Sequence, residues 1–120
     1  MTAGQVAKDE PLPESSHTHF RGVAARANYL AADRPDIIFA AKEICRFMAS
    51  PGSCSMQALK RLGRYLRAHP RLAFTMPRQE AESIEVYSDT DWAGCVRTRR
   101  STSGGCAMIG SHLLRCWSSA

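Results

Sequence analysis

The hydrophobic period of this chain changes once along its length, and that change constrains the fold more than any other feature. Up to about residue 68, apolar residues recur at spacings of three and four; from Ile84 onward they alternate. The first pattern gathers them on one stripe of a helix, the second on one face of a strand. Helices therefore come first and strands after, which makes the fold class α+β.

Phe20, Val23, Ala24, Ala27, Leu30 and Ala31 predict a helix over residues 20–32. The run "ADRPD" interrupts it. Pro35 cannot continue the preceding helix but suits the first turn of the next. Asp33 and Asp36 stand where negative charge favours a helix start. A second helix is expected over 35–49, with Ile37, Ala41, Ile44 and Met48 on its stripe and Ile38 and Cys45 beside them. "SPGS" stops it. A third is expected over 54–68, capped by Ser53 or Ser55 and ended by Pro70. Its inward residues are Met56, Leu59, Leu62 or Gly63, and Leu66. Residues 1–17 are polar, contain Pro11 and Pro13, and read as a flexible leader. The helical region is assigned to 18–72, a linker to 73–82 and a strand region to 83–120.

In the strand region, "IEVYSD" sets Ile84, Val86 and Ser88 against Glu85, Tyr87 and Asp89. Two more strands are expected over 103–109 and 112–118, joined by a glycine-first hairpin turn at Gly110 and Ser111. The expectation is about three helices followed by a three-stranded antiparallel sheet.

The chain has 120 residues, is 44% hydrophobic and carries a formal charge of +5. That charge favours an anionic partner, of which nucleic acid is the commonest. No apolar run approaches the roughly 20 residues that cross a bilayer, and the N-terminus lacks the apolar core of a secretory signal. The expected location is intracellular, cytoplasmic or nuclear, without membrane or secretion. The cysteines at 45, 54, 95, 106 and 116 form no C-x-x-C, so they read as buried free thiols rather than zinc ligands or a disulfide framework. His17 and His19 read as a solvated pair.

The third helix carries an asymmetry. Lys60, Arg64, Arg67 and Arg71 are spaced four, three and four apart, with Arg61 beside them. They share one face, and Glu43 on the preceding helix is the one acid in the neighbourhood to offset them. A solvated face is the ordinary reading of such a run. A face of cations without interleaved acid also suits tracking a phosphate backbone, and we weight that somewhat higher. No base-reading set accompanies it, so sequence-specific recognition is not implied.

Asp89 ends the first strand in "SDTD". Taken alone, such an aspartate is more often a turn former than a metal ligand. Metal-assisted phosphodiester cleavage needs several converging carboxylates, and no Asp or Glu follows Asp91.

The segment "YSDTDWAGCVRTRRSTSGGCAMIG" followed by "LLRCWSS" resembles the opening of the ribonuclease H domain in Pol polyproteins of Copia-type LTR retrotransposons. "ARANYLAADRPDIIFAAKEICRFMASP" and "ALKRLGRYLRAHP" resemble the end of the reverse transcriptase of the same polyproteins. The resemblance runs from about Leu12 to Ser119. It implies a thumb-like or connection-like helical region followed by an incomplete ribonuclease H-like fold. It implies that Asp89 stands at the first catalytic aspartate, a Mg²⁺ ligand in a complete domain, and that Asp91 is a turn residue. Arg99 or Arg100 would lie in the turn into the second strand, near a phosphate or in solvent. Lys60, Arg61, Arg64 and Arg67 would face an RNA–DNA hybrid or template–primer duplex, with the rest of the polyprotein as partner. The family's next acids lie beyond Ala120, so catalytic inactivity is expected of this chain by itself, with no stably bound cofactor. A residual nucleic-acid-binding module and a non-functional relic are the alternatives.

Overall fold

A computed structural model of the chain describes residues 9–80, 83–95 and 98–119. The chain divides into two compact units, Met1–Pro70 and Arg71–Ala120. The first contains α1 (Glu14–Leu30), a 3-10 turn (Pro35–Ile37), α2 (Ile38–Cys45) and α3 (Ser53–Ala68). The second contains β1 (Ile84–Thr90), β2 (Ser103–Ile109) and β3 (His112–Ser119), antiparallel in the order β1-β2-β3. The class is α+β.

The helical core is small and alanine-rich. Phe20, Ala24, Ala27 and Ala31 line α1 at spacings of four and three, and they meet Ile37, Ala41, Ile44, Phe47, Leu59 and Leu62. Short side chains let the helices approach closely, and Phe20 and Ile37, both fully buried, fill the centre. Leu30, expected on the stripe, is instead partly exposed, and Tyr29 beside it is largely exposed.

Helix α1 begins at Glu14, well before the Phe20 expected from periodicity, so Glu14–His17 belong to the helix rather than to a leader. The preceding residues are also tied down. Pro11 bridges to Gly52, and Leu12 donates its N–H to the Pro51 carbonyl at 3.0 Å. His17 is not a solvated imidazole: its ring nitrogen lies 3.0 Å from the Leu12 carbonyl. Residues 1–8 of the expected leader and 81–82 of the expected linker lie outside the described residues.

The second helix is shorter than its apolar spacing suggested. It opens as a 3-10 turn at Pro35 and its α-helical part ends at Cys45, after which the chain turns toward Pro51. The N-terminus of α3 also differs from expectation. Gly52 is its N-cap, and the capping oxygen comes from Asp9, far away in sequence. The Asp9 carboxylate accepts the Cys54 N–H at 2.8 Å and the Ser53 hydroxyl at 3.3 Å. Buried Ser55 completes the cap by accepting the Gly52 N–H at 2.9 Å. A Cβ at Gly52 would collide with the Asp9 carboxylate, so any other residue there must displace that cap.

The strands match their expected positions. Ile84 pairs with Ile109, Tyr87 with Cys106 and Asp89 with Gly104. Ile109 pairs with His112, leaving Gly110 and Ser111 as the turn, with Gly110 left-handed at φ 53°. The Gln79 side chain clasps this turn, donating to the Ile109 carbonyl at 2.7 Å and accepting from the Ser111 N–H at 3.0 Å. Every residue of β1 is exposed and no described strand residue is fully buried. None of the five cysteines is in a disulfide, and all are half-buried rather than buried; Cys106 stands directly opposite Cys116.

Asp9→Ala should destabilise the helical unit by about 1 kcal/mol, the usual worth of an N-cap oxygen. Gly52→Ala should cost at least as much, by displacing the same carboxylate. The double variant should cost less than the two single changes added together, measured by urea unfolding followed through helical circular dichroism. Strict additivity would show that Asp9 does not cap α3.

Candidate functional site

Helix α3 is held at both ends and along one side. Beyond the Asp9 cap at its start, its end is gripped by Arg34, which is only 6% exposed. The guanidinium meets Asp36 through two bonds, Nε to Oδ1 at 2.9 Å and Nη2 to Oδ2 at 2.7 Å. Nη2 also donates to the carbonyl of His69, the C-cap of α3, at 3.1 Å. The Tyr65 hydroxyl of α3 donates to Asp36 Oδ2 at 2.8 Å, and its ring lies 4.8 Å from that of His69. The Arg34 bonds hold the Asp36 carboxyl down to about 2, with the Tyr65 bond adding to the effect. The same contacts raise the pKa of Arg34 and, through the bond to Asp36, that of Tyr65.

With α3 fixed, its inward residues are Ser55, Leu59 and Leu62, and its outward face carries Lys60, Arg61, Arg64 and Arg67, all exposed. The structure thus brings these four predicted cations together. With Gln57 and Gly63 they line a shallow depression of about 600 Å³. Gly63 is on this outer face, not on the apolar stripe, and a Cβ there would meet nothing within 4 Å. Lys60 to Arg67 spans about 10 Å of helix at 1.5 Å per residue. Arg71 lies beyond Ala68, the last residue of α3, so it is not part of that helix.

Arg21, Arg34, Lys42 and Arg46 are occupied. Arg34 pairs with Asp36 at 2.7 Å, and Glu43 binds both Lys42 at 2.8 Å and Arg46 at 3.0 Å. Arg21 donates to the Met48 carbonyl at 2.7 Å. Glu43, the one acid thought able to offset the stripe, is therefore engaged elsewhere. Among the described residues no ion pair involves Lys60, Arg61, Arg64 or Arg67.

Asp89 stands at the end of β1, exposed, and accepts the N–H of the next residue, Thr90, at 2.8 Å. Its strand partner is Gly104, which brings no second acid. Asp91 accepts the Thr102 N–H at 2.5 Å and the Gly94 N–H at 3.4 Å, so it closes the following loop. Among the described residues no group of three or more His, Cys, Asp or Glu side chains converges. One carboxylate does not fit a Mg²⁺ pair, which needs several converging oxygens. Arg99 and Arg100 are both exposed, and Arg99 adopts φ 55°.

Three features of the helical site escape reading by motif. Arg34 is one, although it continues the buried spacing Ala27, Ala31, Arg34, Ile37, which is the signal of a charge carried inward. Asp9 is another, because its partner lies far along the chain. Gly63 is the third, since a glycine on a cationic face has no sequence signature.

These features meet comparison with known proteins. Over 102 residues, 85% of its length, the chain is 38% identical to the retrovirus-related Pol polyprotein from transposon RE1 of Arabidopsis thaliana. It is 35% identical over the same share of its length to that from transposon RE2 of the same plant. This chain is similar to a piece of a retrotransposon Pol polyprotein. It spans 7% of the length of each of those two proteins. It is also 33% identical over 99 residues to an uncharacterized mitochondrial protein of Arabidopsis thaliana, of which it spans 41%. No family model and no solved structure matches the chain. No described helix is long and apolar enough to cross a membrane.

The depressed pKa of Asp36 gives a signed prediction. An ordinary carboxyl titrates near about 4; in the folded chain Asp36 titrates at about 2. Its contribution to stability is therefore present above about pH 4 and is lost as pH falls toward 2. Asp36→Asn should be less stable than the parent at pH 7, and the two should converge in acid. Parallel stability curves across that window would refute the assignment.

Proposed function

We propose that this chain is the segment of a Copia-type Pol polyprotein that joins the end of reverse transcriptase to the opening of ribonuclease H. In this reading α3 belongs to the thumb or connection of the polymerase. Its outer face lies along the backbone of a template–primer duplex or RNA–DNA hybrid. The observation that carries the reading is the unpaired cluster of Lys60, Arg61, Arg64 and Arg67 on a helix locked at both ends. Resemblance to transposon Pol polyproteins along 85% of the chain supports the parentage.

Binding here is electrostatic. Each cation that meets a phosphate releases condensed counterions, so affinity falls steeply with salt and depends little on sequence. Gly63 leaves the centre of the face without a side chain, which lets a phosphate backbone approach the helix itself. Asp89 takes the place of the strand-end aspartate of ribonuclease H, and in the complete domain it would contribute a ligand for Mg²⁺. That ion would supply activation of the attacking water and stabilisation of the leaving oxygen. With one carboxylate, this chain by itself does not cleave a hybrid. The reading places the polyprotein's work inside the cell, cytoplasmic or nuclear.

Fluorescence anisotropy with a short labelled RNA–DNA hybrid across a salt series tests this. Replacing Arg64 and Arg67 by alanine should lower the slope of log affinity against log salt by about 2, one for each lost phosphate contact. Gly63→Ala should separate binding from folding. It should raise helical stability by about 0.5–1 kcal/mol, because the added methyl is unobstructed, yet weaken hybrid binding. An unchanged slope would remove α3 as the contact. Mg²⁺-dependent hybrid cleavage that Asp89→Asn abolishes would overturn the inactivity of the isolated chain.

A further inference from the structure

Trp92 is 94% exposed, the largest exposure of any large apolar side chain described. An indole left in water is costly, and the loop that carries it is not slack. Between β1 and β2, the Asp91 N–H donates to the Thr102 carbonyl at 3.0 Å, while the Asp91 carboxylate takes the Thr102 N–H. Ala93 donates its N–H to the Ser101 hydroxyl at 3.1 Å. Cys95 and Arg99 then close the loop again: the Cys95 N–H reaches the Arg100 carbonyl at 3.2 Å and the Arg99 N–H the Cys95 carbonyl at 2.8 Å. Trp92 is thus held outward on a cross-braced frame. Among the described residues no ring or cation stacks on it. The opposite limb of that frame presents Arg99 and Arg100, both exposed and, among the described residues, in no ion pair.

An outward aromatic on one limb of this frame, with two exposed arginines on the other, is complementary to one kind of ligand. An unpaired nucleobase offers a flat face to the indole, and the phosphates on either side of it offer charge to the arginines. A paired base offers neither face, since its neighbours in the stack cover both. We propose that the β1–β2 loop is a stacking site for single-stranded nucleic acid, with Trp92 carrying an unpaired base and Arg99 and Arg100 meeting the flanking phosphates. The proposal shares its ligand class with the reading of α3 but uses none of the same residues.

The test uses the full chain carrying Arg64→Glu and Arg67→Glu, which silences the helical face so that failure there and failure here are separable. The chain has two tryptophans, so Trp117→Phe makes Trp92 the sole reporter. A Trp92→Phe companion that keeps Trp117 checks that the sheet is intact. Titration with single-stranded oligothymidylate should quench Trp92 to saturation. An abasic oligonucleotide of equal length and charge should leave it bright, and a duplex should quench it far less. Trp92→Ala should lower affinity for the single strand about tenfold, with unchanged circular dichroism because the side chain packs on nothing. Replacing Arg99 and Arg100 by alanine should lower affinity and flatten its salt dependence. Equal quenching by the abasic strand, or Trp92→Ala binding within about twofold of the parent against the tenfold loss that stacking requires, would overturn the proposal. A blue shift of Trp92 that grows with protein concentration alone would overturn it in favour of a second copy of the chain.

Discussion

The helical unit depends on one ion pair that almost leaves water. Arg34 lies in the short break between α1 and α2, directly before Pro35, and turns inward. Burying a guanidinium is costly unless each of its donors finds an acceptor. Asp36 supplies two and the His69 carbonyl a third. The same carboxylate then takes the Tyr65 hydroxyl. One charge pair therefore fixes the entry to α2 and the last turn of α3, and the angle between those helices follows from it. The Asp9 cap does the corresponding work at the other end of α3. An interaction of this kind favours one arrangement over its neighbours more than it adds raw stability, because an apolar pair of equal volume would hold the helices as firmly but less specifically.

That locking explains why the charges segregate. Arg34, Lys42 and Arg46 have acid partners, and Arg21 caps carbonyls near the end of α2. The acids of the helical unit that lie near its cations are consumed by these contacts. On α3, Lys60, Arg61, Arg64 and Arg67 fall on one side of the helix, and its opposite side is the core. A cationic face of this sort repels itself, and the helix tolerates it because its stability comes from Leu59, Leu62 and its two caps rather than from surface pairs.

Much of this was legible in the sequence because it rests on local rules. The strands and their turn followed from alternation and from Gly110, since a side-chain period of two leaves little freedom in register. The four cations followed from helical spacing. What stayed hidden involves distant partners. Asp9 read as part of a leader because a cap formed across the sequence leaves no local pattern. The second helix read as continuous to Ala49 because its apolar spacing is, whereas the ion pair at Arg34 and the approach to Pro51 set its ends. Gly63 read as a possible stripe residue because glycine carries no hydrophobic signal either way, and only the packing of Leu62 decides which of the two faces inward. At the strand end, Asp89 and Asp91 look alike as letters; the Thr102 and Gly94 bonds mark Asp91 as the loop-closing residue, whereas Asp89 bonds the N–H of its neighbour Thr90.

On the proposed reading, the two kinds of chemistry in this segment respond differently to being separated from the rest of a polyprotein. Phosphate binding is a sum of contacts, each worth something without the others, and every support of the α3 face lies between Asp9 and His69. A metal centre is a product rather than a sum: until several oxygens converge, no ion is held and no fraction of the activity exists. At the strand end the described residues bring one exposed carboxylate, Asp89, opposite a glycine. The sheet that carries it has no fully buried residue, and Ile84, Val86 and Leu114 are each more than half exposed. Three strands are stable on their own only with a hydrophobic face or a packed helix. Ile84 and Val86 lie on the opposite face of β1 from Asp89, so sheltering the apolar face and completing the metal site are separate requirements, and binding through α3 is independent of both.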